Sequence, residues 1–285
     1  MSDHSKGLLI TMIGVLFVVP DSIMVRLISS DPMVTAFWRS FTAGTFVAIF
    51  ILLTMRNDVV KTITQMGCAG WVYCVLIGTT SPAFVLAVQN TSVANVVLIF
   101  ASMPVFSAIL SFLILSERPN RQLLLTSCFV FAGLAIIGFG SSGGAAAHWI
   151  GDLWAVYIVI AFSTALILLR RQKHVSMLPA IPIGYIGAAC VMFWFIDPLE
   201  TMETDGALYV LHGVLIAVST CGLTLGPRYI SATEVSLLIL LESVFAPILA
   251  WIVLSEMPAQ ATILGGVLIL SALVVYNIIS FKRRI

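Results

Sequence analysis

Charge is scarce in this sequence. Of its 285 residues only 9% are Asp, Glu, Lys or Arg, against 60% apolar, where a soluble domain carries about 25% charged residues. A water-facing surface cannot be assembled from so few charges, so the composition predicts an integral membrane protein. The 14 Lys and Arg against 13 Asp and Glu form no basic stripe, which argues against a nucleic-acid partner. Cysteine is sparse as well. Cys68, Cys74, Cys128, Cys190 and Cys221 stand in or beside apolar runs with no C-x-x-C pair, the pattern of packed small hydrophobes. His4, His148, His174 and His212 show no metal-ligand spacing, so no metal or cofactor is expected. G-x-x-x-x-G-K-[ST] is missing, which excludes direct use of ATP through that motif.

What the sequence has is long apolar runs. A helix crossing a bilayer needs about 20 such residues. Ten segments qualify: 7–28, 33–54, 67–88, 91–115, 121–140, 151–170, 176–196, 207–226, 231–254 and 259–281, taken below as spans 1 to 10. The first is too long for a signal-peptide core and reads as a retained helix. None alternates with the period of a barrel strand. With the N-terminus inside, all cations except Arg26 and Arg39 fall on inside segments, while Asp31, Asp197, Glu200, Glu203, Asp205 and Glu256 lie outside. The expectation is therefore a multi-pass protein of the cell inner (plasma) membrane with both termini cytoplasmic.

The chain also repeats itself. "VFSAILSFLILSERP" (105–119) and "VFAPILAWIVLSEMP" (244–258) match at a shift of 139 positions, and the same shift lays Thr80-Ser81 on Ser219-Thr220. A shift of 144 brings Gly7 onto Gly151 and Arg26 onto Arg170. Spans 1–5 (residues 1–140) thus recur as spans 6–10 (residues 151–285). Because five is odd, the second copy enters the membrane from the other side. The fold class expected is all-α, ten transmembrane helices in two inverted five-helix repeats, and such repeats build transporters with a midplane site.

Polar residues at depth mark that site. Asp21 lies roughly 20 Å along span 1 at about 1.5 Å per residue, and Glu242 lies near the middle of span 9. A charge there costs roughly 2.5–3.5 kcal/mol, so each faces a wet cavity, a partner or a proton, or pins the packing. Arg26, about 140° round the helix from Asp21, is placed to snorkel outward. Arg39 has two open roles, answering Asp21 or binding a solute carboxylate. Thr80, Ser81, Ser219 and Thr220 are candidates for the cavity lining, and Asn95 aligns with Glu234 at the opposite mouth. Arg228 and Glu234 make either a gate or an ordinary surface pair. Pro20 and Pro247 free the carbonyls of Leu16 and Ser243 and are candidate hinges in the gate; Pro82 and Pro104 free two more.

These residues resemble a family. The LSE-x-P signatures, "LLESVFAPILAW", "PDS" followed by Arg26, and Arg39 in "FWRSFTAG" are similar to the EamA-type transporters of the drug/metabolite transporter superfamily. The sequence departs from many members at Pro20-Asp21 and where Glu242 is followed by Ser243. The resemblance implies a secondary transporter of small metabolites (amino acid, amine or similar organic solute), commonly outward. Proton coupling through Asp21 or Glu242 would drive it. A facilitative exchanger, a channel and a membrane-embedded enzyme are the alternatives. The expected partners are a small-molecule substrate and the lipid bilayer, with the chain a monomer or homodimer and not an enzyme.

Overall fold

A computed structural model describes residues 3–55, 58–115, 121–141, 148–199, 201–230 and 232–282; Glu234's side chain and the first LSE-x-P signature lie outside what is described. Among the described residues the chain is helical and has no strand. The helices are α1 (Asp3–Val18), α2 (Asp21–Leu27), α3 (Pro32–Met55), α4 (Asp58–Gln65), α5 (Gly67–Asn90), α6 (Val93–Phe100), α7 (Met103–Leu115), α8 (Arg121–Ser141), α9 (His148–Arg171), α10 (Ala180–Phe193), α11 (Met202–Leu225), α12 (Ala232–Leu254) and α13 (Gln260–Lys282). Six helical stretches are long and apolar enough to cross a membrane, and four shorter apolar helices accompany them. The protein is a multi-pass membrane protein.

Three elements add to the sequence reading. Span 1 is broken, because Pro20 has no N–H and its ring crowds the carbonyl of Leu16, so α1 stops at Val18 and α2 restarts at Asp21. Span 4 is broken at Ala101-Ser102, and Pro104 sits in the first turn of α7, where its missing donor costs nothing. Between spans 2 and 3 the chain folds α4, which periodicity over eight residues does not announce. It reverses into α5 through Gly67 at φ +57°, a conformation that favours glycine.

The packing repeats by inversion. α1 lies on α11 as α9 lies on α5, α3 on α11 as α10 on α5, and α12 on α1 as α7 on α9. α8 and α13 pack chiefly on each other. A methyl at Gly133 would lie 2.8 Å from the Gly265 carbonyl oxygen, and one at Gly265 would lie 2.6 Å from the Gly133 carbonyl oxygen. Ile269 covers Gly133 as Ile137 covers Gly265. The contact is its own image, as a pseudo-two-fold demands. Bare glycines let the two backbones approach, the usual way membrane helices gain van der Waals contact. The largest buried cluster runs through α3, α5, α9, α10 and α11 and surrounds the cavity described next.

Candidate functional site

A cavity of about 80 Å³ lies between the two halves, lined by Asp21, Arg39, Thr80, Tyr185, Thr220 and Glu242 among apolar walls. The cavity is small, so bulky cargo requires helix movement.

Pro20's break places Asp21 at the first turn of α2, where free backbone N–H groups favour an anion. The carboxylate is only 1% exposed. Arg39 answers it with a fork: Nε donates to Oδ1 at 3.0 Å and the second terminal nitrogen to Oδ2 at 2.6 Å. The remaining Arg39 nitrogen donates to Ser81 Oγ at 2.7 Å, and Ser40 Oγ sits 2.7 Å from the same oxygen. The guanidinium carbon lies 5.0 Å from the centre of the Phe84 ring, a cation–π distance. His212 Nε2 lies 2.6 Å from Asp21 Oδ1. Its other ring nitrogen has no partner, and the side chain is fully buried. Asp21, one of the two acid candidates from sequence, is thus a neutralised strut joining α2, α3 and α11. A bidentate Arg–carboxylate pair in low dielectric is strong, and removal of either partner strands the other.

Glu242 differs. It lines the cavity, is 6% exposed, and receives no hydrogen bond or ion pair from the described residues. Pro247 lies inside α12 just beyond it, and Ser243 Oγ donates to the Val97 carbonyl at 2.6 Å, tying α12 to α6. Thr80 Oγ1 donates to the Ile77 carbonyl at 2.9 Å, which leaves its lone pairs toward the cavity. Thr220 Oγ1 and Tyr185 OH are 3.1 Å apart, and Ser219 lies beside them on the lining.

The remaining sequence candidates lie elsewhere. Asn95 sits in a buried knot at one end of the bundle. Its amide nitrogen reaches Thr91 Oγ1 at 3.2 Å and Asp152 Oδ1 at 3.3 Å, and Thr262 donates to its oxygen. Thr91 also donates to Asp152 at 2.9 Å. Arg26 does not snorkel free: it donates to the Thr91 carbonyl at 2.9 Å and lies 3.7 Å from Glu256. Glu256 also accepts from Val93 N–H at 2.8 Å. The second LSE-x-P signature explains that reach. Ser255 takes φ 55° and ends α12, Glu256 N–H folds back on the Ala250 carbonyl, and the acid turns toward α6. At the other end, Arg228 Nε donates to the Lys173 carbonyl at 3.2 Å, and Lys6 lies over the Tyr229 ring.

Sequence reading missed His212, Tyr185, Asp152 and Glu256 as site residues. His212 and Tyr73 are 139 positions apart and both fully or nearly fully buried, so the repeat shift was the available signal; His212 was instead weighed only for metal spacing.

Comparison with known proteins agrees with the two-repeat helical fold. The model of the EamA-like transporter family matches twice, over residues 5–139 and 149–278. An uncharacterized transporter from Synechocystis sp. (strain PCC 6803) is 27% identical over 205 residues, covering 65% of this chain. The match spans 57% of that relative's length. A crystal structure of a protein superposes with a TM-score of 0.71 over 98% of this chain and 99% of that one, at 16% identity, a likeness of fold alone.

Proposed function

The chain belongs to the EamA-like transporter family, within the drug/metabolite transporter superfamily, and we propose that it is a proton-coupled secondary transporter of small organic solutes. It crosses the inner membrane ten times as two inverted halves, residues 1–140 and 151–285, with cytoplasmic termini, and it works by alternating access. The observation that carries the reading is the unequal state of two deep acids. Asp21 is cancelled by Arg39, whereas Glu242 opens on the cavity with no hydrogen bond or ion pair from the described residues. An intramembrane carboxylate without a partner is costly and is retained for proton or ion traffic. Solute and proton are linked through that one group, and linkage is reciprocal. Where the two compete, an inward proton gradient drives solute outward. The knot of Arg26, Asn95, Asp152 and Glu256 joins both halves at one end and is the candidate gate there; Pro20 and Pro247 are the hinges nearest the two acids.

The test is solute flux in proteoliposomes with and without a pH gradient. Glu242→Gln is expected to abolish gradient-driven accumulation while the protein still purifies as a monodisperse species. Accumulation at the wild-type rate, with an unchanged pH profile, refutes the coupling role. Saturable counterflow separates alternating access from a channel.

A further inference from the structure

A second hollow lies away from the central cavity and shares no lining residue with it. It has a volume of about 780 Å³ and runs between the start of α3 and the end of α10. Phe37, Trp38 and Phe41 line it from α3, Phe193 and Trp194 from the end of α10. Phe37 and Phe41 stack with centroids 5.7 Å apart, and Phe193 lies 6.2 Å from Phe37. The rim is pinned to the bundle. The Trp38 indole donates to the Pro198 carbonyl at 2.8 Å, and its ring stacks on Tyr209. Phe41 stands one turn along α3 from Phe37, and Ala189 one turn back along α10 from Phe193. The floor of the hollow therefore continues down both helices toward the middle of the bundle. Trp194 is 83% exposed, and Phe193 and Leu199 are exposed beside it. Indole rings at a helix end sit at the headgroup level of a bilayer, so the hollow stands where lipid head and lipid chain meet.

One charged side chain lines the hollow, Asp197. Its Oδ1 accepts from the Leu199 N–H at 3.2 Å, which holds the carboxylate on the rim. This end of the bundle is acidic. Asp31, Asp197 and Glu203 are exposed here, and the cation nearest the surface, Arg26, is engaged by Thr91 and Glu256. An anionic headgroup therefore meets like charge. A primary ammonium meets a carboxylate that accepts its N–H and aromatic faces that attract a cation. The apolar floor fits an acyl chain, which a free amine lacks. We propose that this hollow is a binding site for a phospholipid with a primary ammonium head, of the ethanolamine type, with Asp197 as counter-ion and the aromatic floor under the upper part of a chain. Because α3 belongs to the first half and α10 to the second, the bound lipid bridges the two halves. The site is on the flank of the bundle and is independent of the transport reading, since lipid binding is measured without flux.

Delipidated protein in detergent, given phosphatidylethanolamine, phosphatidylglycerol or phosphatidylcholine with identical chains, tests this. Native mass spectrometry counts the lipid retained, and thermal unfolding reads its effect on Tm. Phosphatidylethanolamine is expected to bind about two- to fivefold more tightly than either of the others, the scale of an exposed ion pair, and to raise Tm in a concentration-dependent way. Phosphatidylglycerol brings a negative head, and the choline nitrogen has no N–H to give Asp197. Asp197→Asn keeps an acceptor for the Leu199 N–H, so the rim is expected to hold while the preference for ethanolamine disappears. Phe193→Ala removes part of the wall and is expected to lower retention of all three lipids. Glu203→Gln removes an exposed acid at the same end but outside the lining, and the preference is expected to survive it. Equal binding of the three lipids by the wild type overturns the proposal. So does a preference that survives Asp197→Asn, retention unchanged by Phe193→Ala, or a preference lost as fully in Glu203→Gln, which would mean surface charge in general. Free ethanolamine is expected to leave Tm unchanged where the lipid saturates. A rise equal to the lipid's would make the occupant a soluble amine and overturn the lipid site.

Discussion

The two halves of the molecule share a scaffold and differ in what they place on it. In the first half Arg39 of α3 donates to Ser81 of α5; in the second, Tyr185 of α10 faces Thr220 of α11. Ser81 and Thr220 stand 139 positions apart, the shift that superposes the repeats. The equivalent hydroxyl is therefore held by a charged group on one side of the pseudo-two-fold and by a neutral one on the other. The acids differ in the same way. Asp21 belongs to the first half and is paired, whereas Glu242 belongs to the second and faces the cavity. At 139 positions before Glu242 stands Met103, an apolar lining residue. The repeats share their packing, and divergence at a few polar positions leaves a paired acid in one half and a cavity-facing acid in the other.

The sharpest way to break that contrast is to remove the charge from the strut. Arg39→Met leaves Asp21 buried with only His212 beside it. Uncompensated buried charges of this kind cost about 3–5 kcal/mol, and a loss of that order is expected in chemical or thermal unfolding in detergent. The loss is expected to shrink in acid, where a proton on His212 or Asp21 restores the balance, and to be largely recovered in the double variant Asp21→Asn/Arg39→Met. Equal stability of Arg39→Met and the wild type across pH would show that the Asp21–Arg39 pair is not the strut described.

A second comparison concerns the close approaches. Gly184 of α10 meets Cys74 of α5, and Gly213 of α11 meets Thr42 of α3. Cys74 and Gly213 are 139 positions apart and Thr42 and Gly184 142, so each contact is the image of the other with glycine on the exchanged partner. A methyl on Gly184 overlaps the Cys74 backbone carbonyl, and one on Gly213 overlaps Thr42 Cβ, which rotation of the side chain does not move. Gly184→Ala and Gly213→Ala are therefore each expected to cost about 1–3 kcal/mol, the range of overpacked cores. An unchanged unfolding midpoint in either variant would mean that its contact is looser than its image.

Much of the scaffold was legible in sequence because hydropathy, loop charge and a repeated signature each report one physical constraint. The break at Pro20, the hinge proline at 247 and the depth of Asp21 and Glu242 followed from those constraints. What stayed hidden was pairing. Arg39 had two open roles, and only the position of α3 against α2 shows which acid it meets. Arg26 read as a snorkelling end residue, because a partner in the loop after α12 is invisible without the turn at Ser255. His212 looked inert because a lone histidine in an apolar run carries no spacing signal; its partner is 191 residues away. The proposed gate of Arg228 with Glu234 falls partly outside the described side chains, and Arg228 itself engages the Lys173 backbone.

The smallest expected effect sharpens the comparison most. Tyr185→Phe removes the hydroxyl that faces Thr220 but keeps the ring that fills the wall. Hydrogen bonds between membrane helices average about 0.6 kcal/mol, so stability is expected to fall by about that much, far below the cost at Arg39. Thr220 is not stranded as Asp21 would be, because a neutral hydroxyl can turn to its own backbone or to water in the cavity. The effect on solute is a separate measurement. If the Tyr185 hydroxyl bonds to a bound solute, losing it weakens apparent affinity about threefold, the same 0.6 kcal/mol read as binding. The maximal rate of flux is then expected to hold, since the hinge and Glu242 are untouched. A Tyr185→Phe variant destabilised as severely as Arg39→Met would show that the two symmetric contacts carry equal weight despite their charge. A small loss of stability together with a raised KM places the strut in one half and the binding wall in the other.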